Sequence, residues 1–137
     1  MTVVTILGAG GKMGNRITKP LLETKKYQLR FVEKSEAGQA RIREAGLEVM
    51  DLDDALKGTD VVIFTTPDAL VRQISDEVVP KLDPGTKILF LDPAAIAASR
   101  VKKREDISCF VCHPTHPPVF SLLGETDPAA RRDYWGG

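Results

Sequence analysis

The sequence predicts an α/β fold in which a doubly wound parallel sheet carries helices on both faces. Two observations predict it. Short runs of apolar, mostly β-branched residues alternate with segments of helical period, a pattern typical of βαβ units. The first of these runs ends in a glycine cluster that opens a helix, which is how the first βα turn of such sheets is built. We therefore expect a sheet with the strand order 3-2-1-4-5-6.

The predicted elements follow one another at the spacing of such a sheet. Pro20 is expected to kink the first helix or to end its regular part near Lys19, Gly46 to cap the end of the second, and Pro80 to stop the fourth. The predicted strands cover residues 2–7, 29–33, 47–50, 60–65, 87–91 and 106–111, and the predicted helices cover residues 12–23, 37–45, 51–56 and 69–79.

The composition is that of an ordinary globular protein of one domain. The chain has 137 residues, of which 42% are hydrophobic and 28% charged. Its 19 Lys and Arg residues balance 19 Asp and Glu residues, so no basic field favours nucleic acid or an anionic membrane. The apolar runs are too short to cross a bilayer, and the first residues lack the features of a signal peptide. We expect a cytoplasmic protein that binds neither nucleic acid nor membrane.

The glycine cluster GAGGKMG at residues 8–14 predicts a dinucleotide-binding turn. Its spacing fits G-x-x-G-x-x-G rather than the strict G-x-G-x-x-G. Glycines let the backbone approach a pyrophosphate, and the start of the following helix offers free N–H groups and the positive end of its dipole. The last glycine is expected to let the helix pack closely on the sheet. The predicted cofactor-binding residues of this turn are Gly8, Gly10, Gly11, Lys12, Met13 and Gly14.

Glu33 stands at the end of the second predicted strand. A carboxylate at this position accepts hydrogen bonds from the adenosine ribose hydroxyls and repels a 2′-phosphate. It therefore favours NAD as the cofactor over NADP. The neighbouring Lys34 argues the other way, because a cation there could receive that phosphate.

Ligands of such sheets bind outside the carboxyl ends of the strands, where two further segments are expected. Thr65, Thr66 and Pro67 follow the fourth predicted strand, in the loop that runs beneath the nicotinamide ribose in this architecture. Thr66, Pro67 and Asp68 are in part also an N-capping pattern for the next helix. Asp92 follows the fifth predicted strand, and the small residues after it leave room for the nicotinamide and a substrate.

The two histidines of the chain, His113 and His116, fall in one proline-rich loop after the sixth predicted strand. Imidazole can hydrogen-bond a substrate carboxylate or carbonyl, or relay a proton near neutral pH. The prolines restrict the loop and lower the entropy cost of presenting these groups. Both histidines are predicted catalytic residues, with hydrogen bonds that merely tie the loop down as the alternative for each.

Cys109, Cys112 and His113 match the letters of a haem-attachment motif, and with His116 they could be counted as zinc ligands. Residues three apart on a strand point to opposite faces of the sheet, so the two cysteines diverge if the strand continues. We therefore expect no metal and no haem, and we expect both cysteines to be reduced and buried in the core.

The proline-rich segment also marks the boundary between two predicted parts of the chain. Residues 1–112 are expected to form the NAD(P)-binding domain, and residues 113–137 an active-site loop and the start of a second domain. The helical domain that ordinarily completes a dehydrogenase site is expected to be absent from this chain.

Several segments together resemble the 6-phosphogluconate-dehydrogenase-like, or β-hydroxyacid-dehydrogenase-like, superfamily of NAD-binding proteins. The resemblance covers nearly the whole chain, and its most specific parts are DPAA, HPTHPP and the terminal RRDYWGG. GAGGKMGNRIT, LRFVEKS and VVIFTTPDALV agree with it. The nearest branch is the one often named phosphogluconate dehydrogenase, which includes D-apionate oxidoisomerase.

This resemblance implies NAD-dependent oxidation of a sugar-acid hydroxyl, coupled to isomerisation or decarboxylation. It implies that the glycine turn and Glu33 bind the cofactor, and that Asp92, His113 and His116 face a small-molecule substrate. Full-length relatives are expected to be homodimers whose further helical domain supplies other catalytic groups.

Two other classes of function stay open. A non-catalytic dinucleotide-binding or redox-sensing module would share the same turn. Among enzymes, the turn is similar to that of dihydrodipicolinate reductase, although the His-His-x-x-Lys segment of that enzyme is absent here. A histidine before proline after the sixth strand is similar to prephenate dehydrogenase.

Overall fold

A computed structural model describes residues 1–113 of the chain. Strands and helices alternate through this part, as the periodicity predicts. A 3-10 turn at Val79–Lys81 follows the fourth helix. In chain order the elements are β1 (Thr2–Leu7), α1 (Lys12–Thr24), β2 (Tyr27–Val32), α2 (Glu36–Glu44), α3 (Leu52–Leu56), β3 (Val61–Phe64), α4 (Asp68–Val78), β4 (Lys87–Phe90), α5 (Ala94–Ala97) and β5 (Ser108–Val111).

The five strands form one parallel sheet in the order β2-β1-β3-β4-β5. The predicted α/β class and doubly wound Rossmann topology are therefore confirmed. The strand predicted at residues 47–50 is wrong in extent, because only Val49 pairs with the sheet, through a single bridge to Phe31. The chain leaves the edge at once, since the side chain of Asp51 accepts from Asp53 N and opens α3. With this bridge counted as the third strand, the order is the predicted 3-2-1-4-5-6.

A proline and a glycine carried predictions about two helix ends, and only the glycine follows its local rule. α1 covers Lys12–Thr24, close to the predicted residues 12–23, and its helical part does not end near Lys19 but continues through Pro20. Its partly buried Ile17 and Leu21 pack in the core on either side of the proline, and this apolar face outweighs the one backbone hydrogen bond that proline removes. Gly46 closes α2 with a φ of 74°, as expected for a glycine after a helix.

Helices cover both faces of the sheet, and each face has its own apolar core. Alternate residues of β3 divide between the cores: Val62 and Phe64 pack with α3, α4 and α5, and Ile63 packs with α1 and α2. The rings of Phe64 and Phe90 lie 4.7 Å apart on the first of these faces. This packing fixes the strand ends, and the loops that follow them, relative to one another.

β5 is the outer strand, and its residues are exposed along its whole length. Cys109 and Cys112 are both free and exposed, so the expectation of buried core cysteines is wrong. The reason is the position of the strand at the end of the sheet, where within residues 1–113 its extensive contacts are with β4 and not with the helices that cover the other strands. Within residues 1–113, no helix has the length and apolar character needed to cross a membrane.

Candidate dinucleotide-binding site

The carboxyl ends of the strands gather the predicted site residues at one edge of the sheet. The glycine turn follows β1, Glu33 follows β2, Thr65 follows β3 and Asp92 lies just beyond β4. His113 lies just beyond β5. His116 falls outside the described residues. This edge is where ligands of doubly wound sheets bind.

The turn between β1 and α1 is built by close contacts that exclude side chains. Gly8 has a φ of 79°, in the left-handed region that favours glycine. A Cβ on Gly14 would lie 2.4 Å from the carbonyl oxygen of Ala9, so the first turn of α1 can approach the turn this closely only with glycine there. Gly14 packs against the backbone of residues 8 and 9, as the close-packing role expected of it requires.

Gly10 makes the tightest approach in this turn. A Cβ there would lie 2.3 Å from the carbonyl oxygen of Gly38 and 2.6 Å from its Cα, which belong to the first turn of α2. Gly10 has no place in the G-x-x-G-x-x-G spacing, yet it is the residue at which the turn meets α2. The turn and α2 are therefore in direct backbone contact.

The N-terminus of α1 has the features of an anion-binding site. Gly11 is its N-cap, and no side chain caps the helix. The first turn holds no acidic residue, and its first residue is the exposed Lys12. A lysine beside the positive end of a helix dipole is unfavourable by itself and favourable once an anion binds there. Met13, half-buried, follows in the same turn.

Glu33 is held by three donors. Its Oε2 accepts from Gly10 N at 3.1 Å, and its Oε1 accepts from Ser35 N at 3.0 Å and from Ser35 Oγ at 2.9 Å. Ser35 is the N-cap of α2, and its hydroxyl also accepts from Gly38 N at 3.2 Å. The carboxylate therefore sits between the glycine turn and the N-terminus of α2, at the position expected to face the ribose.

The ammonium group of Lys34 forms an ion pair with a carboxylate on α4. Its Nζ lies 3.0 Å from Glu77 Oε2 on α4, in a pair whose side chains are 70% and 36% exposed. An exposed pair of this kind contributes little to stability. It nevertheless places the cation opposite a carboxylate of its own chain, which weakens the argument that Lys34 receives a phosphate.

Thr65 and Thr66 differ in what their hydroxyl groups do. Thr65 is buried and donates to Leu7 O at 2.7 Å and to Gly8 O at 2.9 Å, so it ties β3 to the start of the glycine turn. Thr66 Oγ1 is buried and has no hydrogen-bond partner. A Cβ on Gly8 would lie 3.0 Å from Thr66 Cγ2, which places Thr66 directly beside the turn. Pro67 is the N-cap of α4 and no side chain caps this helix, so the expected capping role is wrong.

Asp92 links the last two strands. Its Oδ1 accepts from Ala94 N at 2.6 Å, at the start of α5, and its Oδ2 lies 3.8 Å from His113 Nε2. The two side chains are 38% and 56% exposed, so both are accessible at the surface of the described part of the chain. Within residues 1–113, no three His, Cys, Asp or Glu side chains are grouped so as to hold a metal ion.

Three further residues of this edge have no role predicted from the sequence. Ser35 and Gly38 lie against the Glu33 side chain, and Arg41 donates from Nε to Gly10 O at 2.7 Å. Gly38 had a visible cue, because a glycine inside a helical pattern often marks a close contact. Arg41 had none, since a charged residue on a predicted helix is usually at the surface.

These features fit a dinucleotide. The uncapped start of α1 fits a pyrophosphate, the Glu33 carboxylate fits ribose hydroxyls, and the buried Thr66 hydroxyl beside the turn lacks the partner that a ligand would supply. Fold and site together define a dinucleotide-binding domain of the Rossmann class.

Comparison with known proteins agrees with this class and gives the family. Residues 2–120 match the family described as acetohydroxy acid isomeroreductase, NADPH-binding domain, and the chain belongs to that family. The chain is 43% identical over 138 aligned residues to D-apionate oxidoisomerase of Rhizobium rhizogenes, covering 100% of this chain and 49% of the relative. It is 45% identical to the enzyme of that name from Cupriavidus necator, covering 98% of this chain and 48% of the relative. The predicted resemblance to that branch is confirmed.

Comparison with solved structures finds the same class of fold. A protein from Cupriavidus necator described as a semialdehyde dehydrogenase NAD-binding protein, in complex with calcium and NAD, superposes with a TM-score of 0.85 at 44% identity. The match covers 98% of this chain and 48% of that one. A 3-hydroxyisobutyrate dehydrogenase from Mycobacterium tuberculosis shares the fold, with a TM-score of 0.66 at 20% identity over 99% of this chain and 50% of that one. The chain spans about half the length of the curated relatives it matches.

Proposed function

We propose that this chain is the cofactor-binding part of an NAD-dependent oxidoreductase that oxidises a hydroxyl of a sugar acid and isomerises the product. D-apionate is the candidate substrate. The observation that carries the proposal is the hydrogen bond between Gly10 N and Glu33, which joins a pyrophosphate site and a ribose site in one unit. The relatives named D-apionate oxidoisomerase support the choice of substrate.

NAD is the proposed cofactor, and Glu33 is the reason. A 2′-phosphate would meet a carboxylate that is already held by Gly10 and Ser35, and like charges at this range repel. Lys34 is paired with Glu77. A solved relative described as a complex with NAD supports this choice. The description of the matched family names NADPH, which makes NADP the alternative cofactor.

The proposed contribution of the chain is to bind and orient the cofactor. The first-turn N–H groups of α1 and Lys12 would hold the pyrophosphate, while Thr66 would donate its hydroxyl to the ligand. Bound NAD supplies the acceptor for the hydride that leaves the substrate carbinol.

His113 and Asp92 are the proposed residues on the substrate side. Their side chains lie 3.8 Å apart at the ends of neighbouring strands, where they can meet the substrate carboxylate or take part in moving the hydroxyl proton. His116 is proposed for the same loop. Loss of a carboxyl group from the oxidised product is the alternative to isomerisation.

Residues 113–137 are proposed to be the active-site loop and the start of a second domain. Because relatives are about twice as long, further catalytic groups are expected from the part that follows in them. A homodimer is the proposed assembly of the full-length protein, and sedimentation of that protein tests it.

Two measurements test the proposal. Titrating the 137-residue chain with NADH and with NADPH should give tighter binding of NADH, and no binding of either at millimolar concentration would overturn it. Turnover is then followed as NADH formation from NAD and D-apionate. Binding without turnover, in this chain and in a full-length protein that contains it, would favour a non-catalytic module.

A further inference from the structure

Arg41 reaches from α2 to the dinucleotide turn. Its Nε donates to Gly10 O at 2.7 Å, across 31 residues of sequence. On the other side of the same residue, Gly10 N donates to Glu33 Oε2 at 3.1 Å. Both backbone polar groups of Gly10 are therefore bonded to side chains that follow β2.

The peptide between Gly10 and Gly11 is held at both ends. Its oxygen accepts from Arg41, and its N–H, which belongs to Gly11, donates to Gly8 O at 3.0 Å. Because a peptide unit is planar, these two bonds fix its rotation. Gly11 is the N-cap of α1, so this peptide sets the direction of the first-turn N–H groups.

Packing makes this arrangement rigid. Gly10 is in backbone contact with Gly38, and Gly38 stands three residues before Arg41 on α2. A Cβ on Gly38 would in turn lie 2.6 Å from Glu33 Cδ. The bond from Arg41 therefore joins two backbone segments that already touch, and it costs little further ordering.

We propose that Arg41 is a positioning residue for the cofactor. It holds the peptide between Gly10 and Gly11 so that the first-turn N–H groups of α1 meet the pyrophosphate, and its charge adds to the attraction for that anion. The inference rests on the NAD binding proposed above and goes beyond it by assigning a residue outside the glycine turn. Arg43, on the same helix, bonds Gln39 Oε1 at 3.1 Å instead and provides a matched control.

The test compares Arg41→Met, Arg41→Lys and Arg43→Met in the 137-residue chain. Hydrogen bonds to charged groups of this kind predict that Arg41→Met weakens NADH binding about tenfold. Arg41→Lys should restore part of the loss, and Arg43→Met should stay within about twofold of the wild type. In the unliganded protein, the Gly11 amide should exchange its hydrogen about fivefold faster in Arg41→Met than in Arg43→Met.

Competition by ADP and by adenosine separates positioning from a general loss of structure. Arg41→Met should weaken ADP, which carries the pyrophosphate, and leave adenosine unchanged; a parallel loss for both ligands overturns the positioning role. NADH binding that is unchanged in Arg41→Met overturns the role of Arg41 while leaving the proposed function intact. A wild-type chain that binds no NADH overturns the proposed function and this inference together.

Discussion

The Glu33 carboxylate lies 3.1 Å from Gly10 N, so the residue expected to contact the ribose also holds the turn expected to contact the pyrophosphate. The same carboxylate accepts two hydrogen bonds from Ser35, at the N-terminus of α2. Changes at Glu33 are therefore expected to act on both halves of the cofactor.

Glu33→Ala should relax the preference for NAD. It removes the acceptor for ribose hydroxyls and leaves the N–H groups of Gly10 and Ser35 free for a 2′-phosphate. We expect NADH to bind about tenfold more weakly and NADPH to bind no worse than in the wild type. Titration with both nucleotides measures the ratio, and Glu36→Ala, which removes a neighbouring exposed carboxylate, is the control. An unchanged NADH-to-NADPH ratio would remove Glu33 from the site.

Gly10→Ala should destabilise the protein and abolish cofactor binding. The new Cβ would lie 2.3 Å from Gly38 O, a backbone atom that cannot move without shifting α2. Overpacking of this kind costs about 2 kcal/mol or more of unfolding free energy. Thermal denaturation measures it. Gly11→Ala is the matched control, since its Cβ would meet only Gly8 O, at 3.2 Å. Equal melting temperatures for the two variants would contradict the prediction.

The sequence predicted the elements whose patterns are local. The strand before the glycines, the turn itself and Glu33 each have their own local pattern, and the structure places them together at one edge. The short pairing at Val49 was overestimated, because a four-residue apolar run says nothing about how soon the chain turns away. α1 passes Pro20 because its apolar face is buried on both sides of it.

Contacts between residues that are distant in the sequence could not be predicted from local patterns. Arg41 meets Gly10, and Ser35 meets Glu33, only once α2 has packed beside the turn. The exposure of Cys109 also depends on tertiary structure. An apolar strand is buried or exposed according to its place in the sheet, and β5 lies at the end of it. Partners of this kind are set by tertiary packing, for which composition and period carry no information.

Thr66→Val should weaken NADH binding without destabilising the protein. The Thr66 hydroxyl is buried without a partner, so its removal leaves the unfolding free energy equal or higher by about 1 kcal/mol. If it bonds the cofactor, NADH affinity falls about threefold to tenfold. Thr65→Val gives the opposite pattern, with about 1 kcal/mol or more of lost stability, because its hydroxyl bonds Leu7 O and Gly8 O. NADH affinity that is unchanged in Thr66→Val would exclude the contact.

His113→Gln should lower turnover of the sugar acid and leave NADH affinity unchanged. The side chain is 56% exposed at the end of β5 and touches Asp92 rather than the glycine turn. We expect kcat to fall about 100-fold if His113 transfers the proton, as general acid–base catalysis contributes on this order. Asp92→Asn should lower kcat less, because only one Asp92 oxygen, Oδ2, faces His113 Nε2, at 3.8 Å. A loss confined to KM would instead assign His113 to substrate binding.

The Cys109 thiol should react slowly at neutral pH despite its exposure. Desolvation raises the pKa of Cys109, and the charge of Lys103 opposes this only in part. A raised pKa lowers the thiolate fraction at any pH below it. The rate of alkylation by iodoacetamide should therefore rise with pH and level off only above a pKa that is higher than that of a free thiol. The rate–pH profile is measured on Cys112→Ser, which leaves one thiol, with N-acetylcysteine as reference. A midpoint at or below the reference would contradict the prediction. Cys109 lines a groove of about 190 Å³ together with Ile96, Val101, Lys103, Arg104 and Ile107, and we attribute its desolvation to these neighbours. Ile96→Ala should open this groove and shift the midpoint down towards the reference.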